Sequence, residues 1–372
     1  MMQTKTKETL KEVLKLGQSI WYDGLLAPAE LERMIREDEL RGATTNPVIL
    51  EKAIAGGSYD ADIAQFAREG QSDDEICKTL AIRTVQEVCD VFAPVHRRTA
   101  GQDGFVSIEV SPLLAFDTEA TIREAKELHK RVARPNVMIK IPATEAGLGA
   151  IEAVIAEGIS VNVTLIFSVE RYRQVMDAYF SGLEKRSDEG HELTHIASVA
   201  SFFVSRVDTA VDKLLEQKIA ASKDPAQQAL FKSLMGKVAI ANSKVAYAAF
   251  EETFAGERYL ELKTEAAQVQ RPLWASTGTK NPAYRDVLYA EALIGPNTVD
   301  TMPPATLDAF RDHGQAALTL TEGLMEAEKT LEKLAFCGVS LPQVTLELEK
   351  AGVELFVDAH KKILERIQEK KK

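Results

Sequence analysis

Lys140 lies in the run Val137–Pro142, in which every other residue is apolar (VMIKIP). An unpaired ammonium group buried among apolar side chains is strongly disfavoured, so such a lysine must be neutral, ion-paired or reactive. One interpretation is a structural salt bridge to Glu109 or Asp23. The other is a neutral amine that attacks a ketone and forms a Schiff base, while nearby carboxylates move the protons.

Other polar residues recur at the ends of strand-like runs. Residues two apart in a strand share a face, and active sites of parallel barrels form at the C-terminal ends of the strands. Taken singly, each residue could belong to a turn, cap a helix or simply occupy a position in a strand. Their recurrence at corresponding positions favours a functional site. Together with Lys140 they are Asp23, Thr44, Asn46, Glu109, Ser111, Asn162, Thr164, Ser201 and Phe203.

A second group of residues is suited to an anion. Arg206 closes the sixth strand-like run, and Ser276–Lys280 (STGTK) closes the seventh. In many barrels the loops after the last two strands bind phosphate through backbone N–H groups, which Gly278 would allow to approach closely. The alternative is a loop that only turns the chain. Neither GxGxxG nor a P-loop pattern occurs, so no nucleotide is expected.

Eight strand-like runs alternate with helical stretches, which predicts a parallel sheet closed into a (β/α)8 TIM barrel. Two extra helices are predicted after strand 2, in residues 48–104, and two or three after strand 6, in residues 207–268, including Ala226–Phe254. Residues 305–372 are predicted to form a C-terminal helical segment, and the basic run at its end (IQEKKK) is predicted to be a frayed, solvated helix end. The whole chain, 1–372, is predicted to be a single TIM-barrel domain. The strands, from about 19 to 304, are Ser19–Gly24, Gly42–Pro47, Phe105–Pro112, Val137–Thr144, Ser160–Ser168, His195–Ser205, Leu273–Lys280 and Thr298–Pro304.

Composition limits the class of protein. Lys and Arg number 45 and Asp and Glu 56, so the net charge of −11 disfavours a general binder of nucleic acid or anionic membranes. Cys77, Cys89 and Cys337 are too few for a disulfide framework and are predicted to be buried thiols, and no metal site is expected. Residues 1–17 predict an amphipathic surface helix rather than a signal peptide. No run reaches about 18 apolar residues, and a cytoplasmic location is expected.

Six motifs in order give the chain a family resemblance. They are GATTNP at 42–47, SIEVSP at 107–112, MIKIPAT at 138–144, NVTLIFS at 162–168, SFFVSRVD at 201–208 and ASTGTKNP at 275–282. With these motifs the sequence resembles the transaldolases, and its length and ASTGTK loop are similar to the long bacterial branch of that family.

The resemblance implies a role for each catalytic candidate. Lys140 matches the Schiff-base lysine, and Asp23 matches the acid/base at the hydroxyl beside the scissile carbon–carbon bond. Glu109 and Thr164 match the pair that holds a catalytic water. Position 111 departs from the pattern, since Ser111 stands where many members have Asp.

The resemblance also implies binding roles. Asn46 and Asn162 match groups that hydrogen-bond the three-carbon ketone fragment, and Thr44 and Ser201 line the same pocket. Phe203 stands where transaldolases carry Phe and related aldolases carry Tyr, which favours transfer over release. The matching phosphate ligands are Arg206 and Ser276, while Lys280 stands near an Arg of other members and supplies a point charge without the bidentate fork.

The sequence therefore predicts a transaldolase that moves a dihydroxyacetone unit between sugar phosphates, with no metal or organic cofactor. Its expected partners are those sugar phosphates, without nucleic acid or membrane, in a monomer or homodimer. One alternative is a fructose 6-phosphate aldolase-type enzyme that releases dihydroxyacetone. The other is a non-catalytic barrel that binds sugar phosphates.

The first prediction concerns the lysine. Lys140→Met should abolish turnover, because a thioether cannot form an imine. Steady-state rates of transfer from fructose 6-phosphate to an aldose phosphate test this. Substantial residual activity would rule out the Schiff-base mechanism.

Overall fold

A closed barrel of eight parallel strands forms the centre of the molecule, with neighbours in sequence order and β8 paired with β1. The computed structural model describes residues 9–371. All eight predicted strands are confirmed, with shifted ends. They are β1 (Gln18–Asp23), β2 (Gly42–Thr44), β3 (Val106–Glu109), β4 (Val137–Pro142), β5 (Val161–Ile166), β6 (Ser198–Phe203), β7 (Gln270–Ala275) and β8 (Thr298–Met302).

Helices surround the barrel, and additional helices follow β2, β6 and β8. They are α1 (Thr9–Lys15), α2 (Pro28–Asp38), α3 (Pro47–Ala55), α4 (Asp60–Arg68), α5 (Asp73–Arg98), α6 (Thr118–Val132), α7 (Glu145–Ala156), α8 (Val169–Asp188), α9 (Ser205–Ala221), α10 (Pro225–Leu234), α11 (Val238–Phe254), α12 (Glu257–Thr264), α13 (Leu288–Ala292), α14 (Pro304–His313), α15 (Leu324–Phe336) and α16 (Leu341–Lys370). A short 3-10 turn, Pro112–Leu114, follows β3.

Strand register brings the inward-facing polar residues of three strands side by side. Glu109 of β3 pairs with Lys140 of β4, and Lys140 pairs with Asn162 of β5. Because neighbouring parallel strands lie about 4.8 Å apart, these side chains share one level of the barrel interior. The register therefore places chemically active groups together that are far apart in sequence.

An ion-pair network fills the opposite, N-terminal end of the barrel. Asp103 accepts hydrogen bonds from Ser19 Oγ (2.8 Å) and from the Arg271 guanidinium (2.9 Å). Arg271 also donates to Ser19 Oγ (2.6 Å) and to the carbonyl oxygen of Thr298 (2.7 Å). The network joins β1, β7, β8 and the loop before β3 away from the candidate site.

The inserted helices are more numerous than the sequence predicted. Three helices, rather than two, follow β2, since α3 begins directly at Pro47. The predicted helical stretch Ala226–Phe254 is two helices, α10 and α11. The chain turns between them at Gly236, whose φ is +69°, and the Gly236 N–H donates to Asp212 of α9 (3.1 Å).

Helix α16 lies against the C-terminal ends of the strands. It packs on α3, α5, α9 and β5. Leu165 of β5 has a left-handed backbone (φ +59°) at a register shift, and a Cβ at Gly352 of α16 would lie 2.9 Å from its side chain. The small glycine therefore allows α16 to approach the barrel closely.

The predicted frayed C-terminus is wrong for the residues that the structure describes. Lys370 pairs with Asp60, and Lys371 pairs with Asp73 at 2.5 Å. These pairs fasten the end of α16 to α4 and α5. Between α14 and α15, residues 314–323 form an irregular segment rather than the predicted helix.

Several smaller expectations are also tested. Cys77, Cys89 and Cys337 are buried and unbonded to one another. Among residues 9–371 no helix is both long and apolar enough to cross a bilayer. The predicted N-terminal helix is described only as α1, and its residues 1–8 lie outside the described part.

The ion-pair network at the N-terminal end of the barrel gives a prediction about stability. Asp103→Ala leaves the largely buried Arg271 guanidinium without its carboxylate, which should lower the free energy of unfolding by about 3 kcal/mol in urea titrations. The matched control is Asp90→Ala, which removes a carboxylate paired with Arg134 but 57% exposed. Water already solvates that pair, so the change should be much smaller. Equal losses in both variants would contradict the assignment.

Candidate active site

A cavity of about 640 Å³ opens at the C-terminal ends of the strands. We call it the mouth cavity. Ten of the twelve predicted catalytic and binding residues line it, and the other two, Glu109 and Asn162, lie beside Lys140 in the strand register. The ten are Asp23, Thr44, Asn46, Lys140, Thr164, Ser201, Phe203, Arg206, Ser276 and Lys280.

Lys140 and Glu109 form a buried ion pair. Their side chains are 7% and 6% exposed, and Lys140 Nζ lies 3.5 Å from Glu109 Oε2. Nζ also donates to the carbonyl oxygen of Thr45 (3.2 Å). Burial raises the pKa of Glu109, and the nearby Lys140 opposes that rise. The carboxylate and the amine are therefore close enough to exchange a proton directly or through one water.

Asp23 is an acidic group on the lining of the mouth cavity. Thr44 Oγ1 donates to Asp23 Oδ1 (2.9 Å), and Thr44 Oγ1 also lies 2.6 Å from Thr301 Oγ1. Burial raises the pKa of Asp23, while Lys140, the Thr44 hydrogen bond, and the charges of Lys280 and Arg206 act against that rise. A buried carboxyl group with a raised pKa is suited to take up and return a proton as a general acid/base.

Two buried oxygens remain available for further hydrogen bonds. Among the described residues, neither Glu109 Oε2 nor Thr164 Oγ1 has a hydrogen-bond partner. Buried polar atoms are normally paired, so such atoms call for a functional explanation. Both belong to the strands on either side of β4, which carries Lys140.

Asn162 lies beneath the mouth cavity rather than on its surface. Its Oδ1 accepts from Ser201 Oγ (2.7 Å), and its Nδ2 donates to Ser107 Oγ (2.9 Å). This chain crosses the barrel interior from β6 to β3 and leaves one amide proton of Asn162 unassigned. The hydrogen bond to Asn162 orients the hydroxyl group of Ser201.

Asn46 has a structural role as well as a place on the cavity. Its Oδ1 accepts from the backbone N–H of Ile49 (3.1 Å) and thereby caps α3. The helix-cap alternative is therefore correct for the oxygen. Within the described part of the chain, no hydrogen bond engages the amide nitrogen, which can still donate to a ligand.

The predicted anion ligands converge on one side of the cavity. Arg206 follows the first residue of α9, and its guanidinium lies 5.1 Å from the centre of the Phe203 ring. Burial lowers the pKa of Arg206, and no carboxylate within residues 9–371 forms an ion pair with it. Ser276 contacts Ser205 through their hydroxyl groups (2.9 Å), and Lys280 is exposed at the rim. A helix start with two cations favours an anion.

Two tyrosines fix the segment that follows Lys280. Tyr284 donates to Asp212 (2.6 Å), and Tyr289 donates to Asp208 (3.0 Å), both of which lie on α9. Burial raises the pKa of Asp208 to about 7. Because α9 also carries Arg206, these hydrogen bonds fix the segment after Lys280 relative to Arg206.

Sequence reasoning missed the residues that α16 contributes. Leu355 and Phe356 line the mouth cavity, and the centre of the Phe356 ring lies 6.0 Å from Lys140 Nζ. Lys52 of α3 is a further unpredicted cation on the lining. The helical pattern of the C-terminus was visible in the sequence, but nothing in it indicated that this helix would cover the mouth.

Ser111 does not line the mouth cavity. Its backbone N–H donates to Glu124 of α6 (2.6 Å), and Glu124 also pairs with Lys78 of α5 (3.2 Å). In this chain a carboxylate from a neighbouring helix therefore lies next to position 111. Ser111 lines a separate cavity behind β3.

Comparisons with known proteins show which family the chain belongs to. The family model described as Transaldolase/Fructose-6-phosphate aldolase matches residues 20–367. The chain is 50% identical to a protein named transaldolase from Mycolicibacterium paratuberculosis, with 98% of each chain covered. It is 49% identical to one from Mycolicibacterium smegmatis, over 95% of this chain and 94% of that protein, and 46% identical to one from Saccharopolyspora erythraea, over 98% of each.

The chain belongs to the transaldolase/fructose-6-phosphate aldolase family. The relatives just described all carry the transaldolase name. The resemblance inferred from six short motifs is thus confirmed over nearly the whole chain.

The hydrogen bond at Asp23 gives a prediction about its pKa. Thr44→Val removes a donor that stabilises the carboxylate, so the pKa of Asp23 should rise further. The measurement is the pH titration of its carboxyl carbon by NMR in ¹³C-Asp-labelled protein, with Asp23→Asn assigning the signal. Thr45→Val is the matched control, because the Thr45 hydroxyl donates to the Ser107 carbonyl instead. An unchanged or lower pKa in Thr44→Val would contradict the geometry.

Proposed function

We propose that this chain is a transaldolase of the pentose phosphate pathway. It transfers a dihydroxyacetone unit by a Schiff-base mechanism, converting sedoheptulose 7-phosphate and glyceraldehyde 3-phosphate to erythrose 4-phosphate and fructose 6-phosphate. The observation that carries the proposal is the placement of Lys140. Its amine reaches the mouth cavity, and two carboxyl groups with raised pKa values, Asp23 and Glu109, flank it.

Imine formation is the first step. Deprotonated Lys140 Nζ attacks the ketone carbon of the donor, and the resulting carbinolamine loses water to give a protonated imine. Glu109 is 3.5 Å from Nζ and can move the protons that this step requires. Glu109 Oε2 and Thr164 Oγ1, which have no hydrogen-bond partner among the described residues, are suited to hold the water that is released here and taken up again at hydrolysis.

Cleavage of the carbon–carbon bond is the second step. Asp23 removes the proton of the hydroxyl beside that bond, the bond breaks, and an aldose phosphate leaves. The electron pair moves into the protonated imine, which becomes an enamine. When an acceptor aldehyde arrives, the enamine carbon attacks it and Asp23 returns the proton to the new hydroxyl. The imine itself is the electron sink, so the proposal includes no cofactor.

The remaining candidates orient the substrate. Arg206, Ser276 and Lys280 are proposed to bind the phosphate, since they combine two cations with a helix start on one side of the cavity. Asn46 and Thr44 are proposed to bind the hydroxyl groups of the three-carbon fragment. Asn162 and Ser201 are proposed to act as a hydrogen-bonded unit in the same binding site.

Transfer requires the enamine to survive until an acceptor binds. Phe203 and Phe356 place aromatic surface on the mouth cavity, and Phe356 lies near Lys140. Neither ring can donate a proton to the enamine carbon, and both reduce the space for water near it. These two residues favour transfer over release of free dihydroxyacetone.

We further propose that residues 1–372 form a single domain that acts in the cytoplasm, as a monomer or homodimer. One continuous hydrophobic cluster extends from Leu10 of α1 to Phe356 of α16 and supports the single-domain part of the proposal.

The test of the mechanism is chemical trapping. The protein is incubated with fructose 6-phosphate and sodium borohydride, and its intact mass and peptide map are measured. We expect a reduced three-carbon adduct on Lys140. Lys140→Met is the control and should remain unlabelled. A folded protein that binds the sugar phosphate without forming an adduct would favour the non-catalytic alternative.

A second measurement separates transfer from aldol release. Product formation from fructose 6-phosphate is compared with and without erythrose 4-phosphate. We expect sedoheptulose 7-phosphate with the acceptor present and little free dihydroxyacetone without it. Comparable release of dihydroxyacetone in its absence would instead identify an aldolase.

A further inference from the structure

Asp300 of β8 is a buried acidic residue that the proposed mechanism does not use. The next residue, Thr301, lines the mouth cavity, and successive side chains of a strand point to opposite faces. Asp300 therefore faces the surrounding helices, where it is fully buried. Burial raises its pKa to about 7, and no lysine or arginine within residues 9–371 forms an ion pair with it. A buried acid without a cation is costly, so its presence calls for an explanation.

The partner of Asp300 is Thr277, in the loop that follows β7. Thr277 Oγ1 donates to Asp300 Oδ1 (2.9 Å), and Thr277 is itself fully buried. This hydrogen bond opposes the rise in the pKa of Asp300, since it stabilises the carboxylate. Asp300 Oδ2 has no hydrogen-bond partner in the described part of the chain. The carboxyl group thus acts on the loop through the hydroxyl group of Thr277.

Thr277 directly follows Ser276, a proposed phosphate ligand with an unusual backbone. The φ of Ser276 is +60°, in the left-handed region that is unfavourable for a residue with a Cβ. Ala275 and Ser276 both line the mouth cavity, although successive residues of an extended strand point to opposite faces. The left-handed conformation therefore turns Ser276 towards the cavity, while Thr277 points away from it.

Contacts on both sides of the loop hold this conformation. The backbone N–H of Ser205, at the start of α9, donates to the carbonyl oxygen of Ser276 (3.1 Å), and the two hydroxyl groups lie 2.9 Å apart. On the other side, the Thr277 hydroxyl is bound to β8. A Cβ at Gly278 would lie 2.9 Å from Thr306 Oγ1, so the loop is closely packed there as well. Removal of either anchor should allow Ser276 to relax to an ordinary backbone conformation.

We propose that Asp300 is a positioning residue of the phosphate site, and that through Thr277 it holds Ser276 in the conformation that presents it to the phosphate of the substrate. When this hydrogen bond is lost, only part of the population keeps the competent loop, and the apparent affinity falls in proportion. Asp300 itself lies outside the lining of the mouth cavity. The inference rests on the phosphate-binding role proposed for Ser276, Arg206 and Lys280.

Matched variants isolate the hydrogen bond. Thr277→Val removes the donor at nearly constant shape, and Asp300→Leu removes the acceptor. Thr277→Ser and Asp300→Asn are the conservative variants, because they keep a donor and an acceptor at these positions. Thr298→Val is the control, since it makes the same substitution at an equally buried threonine of β8. The hydroxyl group of Thr298 donates to the carbonyl oxygen of Gly295 (2.5 Å), away from the loop.

The measurement separates phosphate binding from chemistry. Steady-state transfer is followed from fructose 6-phosphate to D-glyceraldehyde, an acceptor without phosphate. Thr277→Val and Asp300→Leu should raise KM at least about fivefold, which corresponds to the usual cost of a left-handed residue. Their kcat should change less than about twofold, because an interaction common to ground state and transition state is lost. In the conservative variants and in Thr298→Val, KM should stay within about twofold of its original value.

A substrate without phosphate provides the internal reference. Borohydride trapping of dihydroxyacetone on Lys140 requires the amine and the carboxyl groups but no phosphate site. Its rate in Thr277→Val and Asp300→Leu should therefore remain within about twofold of that in the unmodified protein. A general loss of structure would slow this trapping as much as it weakens binding of fructose 6-phosphate.

The double variant Thr277→Val/Asp300→Leu tests whether the two residues act through one bond. Its KM should exceed that of the higher single variant by less than about twofold, because residues in one interaction are not additive. Multiplication of the two single effects would contradict this. The double variant also covers a failure of Thr277→Val to fold, since replacing both partners by apolar groups leaves no buried carboxyl group unpaired.

An unchanged KM in folded Thr277→Val or in the double variant would overturn the inference, and so would slower trapping of dihydroxyacetone in the same proportion. Arg206→Ala distinguishes this failure from failure of the proposed phosphate site. If Arg206→Ala raises KM and Thr277→Val does not, only the inference fails. If the protein shows no turnover, the proposed function fails, and calorimetric titration with inorganic phosphate decides the inference, with at least about a fivefold loss of affinity expected in Thr277→Val.

Discussion

A lysine and a glutamate share the interior of the barrel at 3.5 Å, almost shielded from water. Removing two such charges from water is costly, and their attraction offsets the cost only when the geometry is good and the remaining polar atoms are satisfied. Here Lys140 donates to one backbone carbonyl, while the Glu109 oxygen that faces the amine has no hydrogen-bond partner among the described residues. In proteins, well-packed hydrophobic residues of similar volume are often as stable as a buried ion pair or more stable. The pair is therefore best explained by chemistry, and the surrounding structure must hold it in place.

In the barrel, the groups that stabilise the fold and the groups available for chemistry lie at opposite ends of the axis. The N-terminal end is closed by Asp103, Arg271 and Ser19, which satisfy one another. The C-terminal end leaves polar groups available and exposes them to a cavity. Beneath that cavity the Ser201–Asn162–Ser107 chain fixes hydroxyl and amide groups that would otherwise have several orientations. The rigid end and the interior chain together orient the side chains at the mouth.

Helix α16 links the mouth to the periphery of the molecule. Its close approach at Gly352 brings Phe356 within 6.0 Å of Lys140 Nζ, and its end is fastened by ion pairs with α4 and α5. The helices after β2 thus have a function that is not evident from their position in the chain. They support the segment that excludes water from the amine, because α3, α4 and α5 all pack against α16.

The sequence by itself determined the eight strands, the closed barrel and ten of the residues on the mouth cavity. It could do so because the alternation of side chains along a strand is a local pattern, and a lysine among the apolar residues of VMIKIP can be recognised from its neighbours alone. Local patterns also revealed that the C-terminus is helical. Only the tertiary structure decided where that helix lies, that Asn162 sits beneath the cavity, and that Ser111 lies outside it. These features depend on contacts between segments far apart in the chain, and the hydrophobic periodicity of a segment shows which of its faces is buried but not which segment that face contacts.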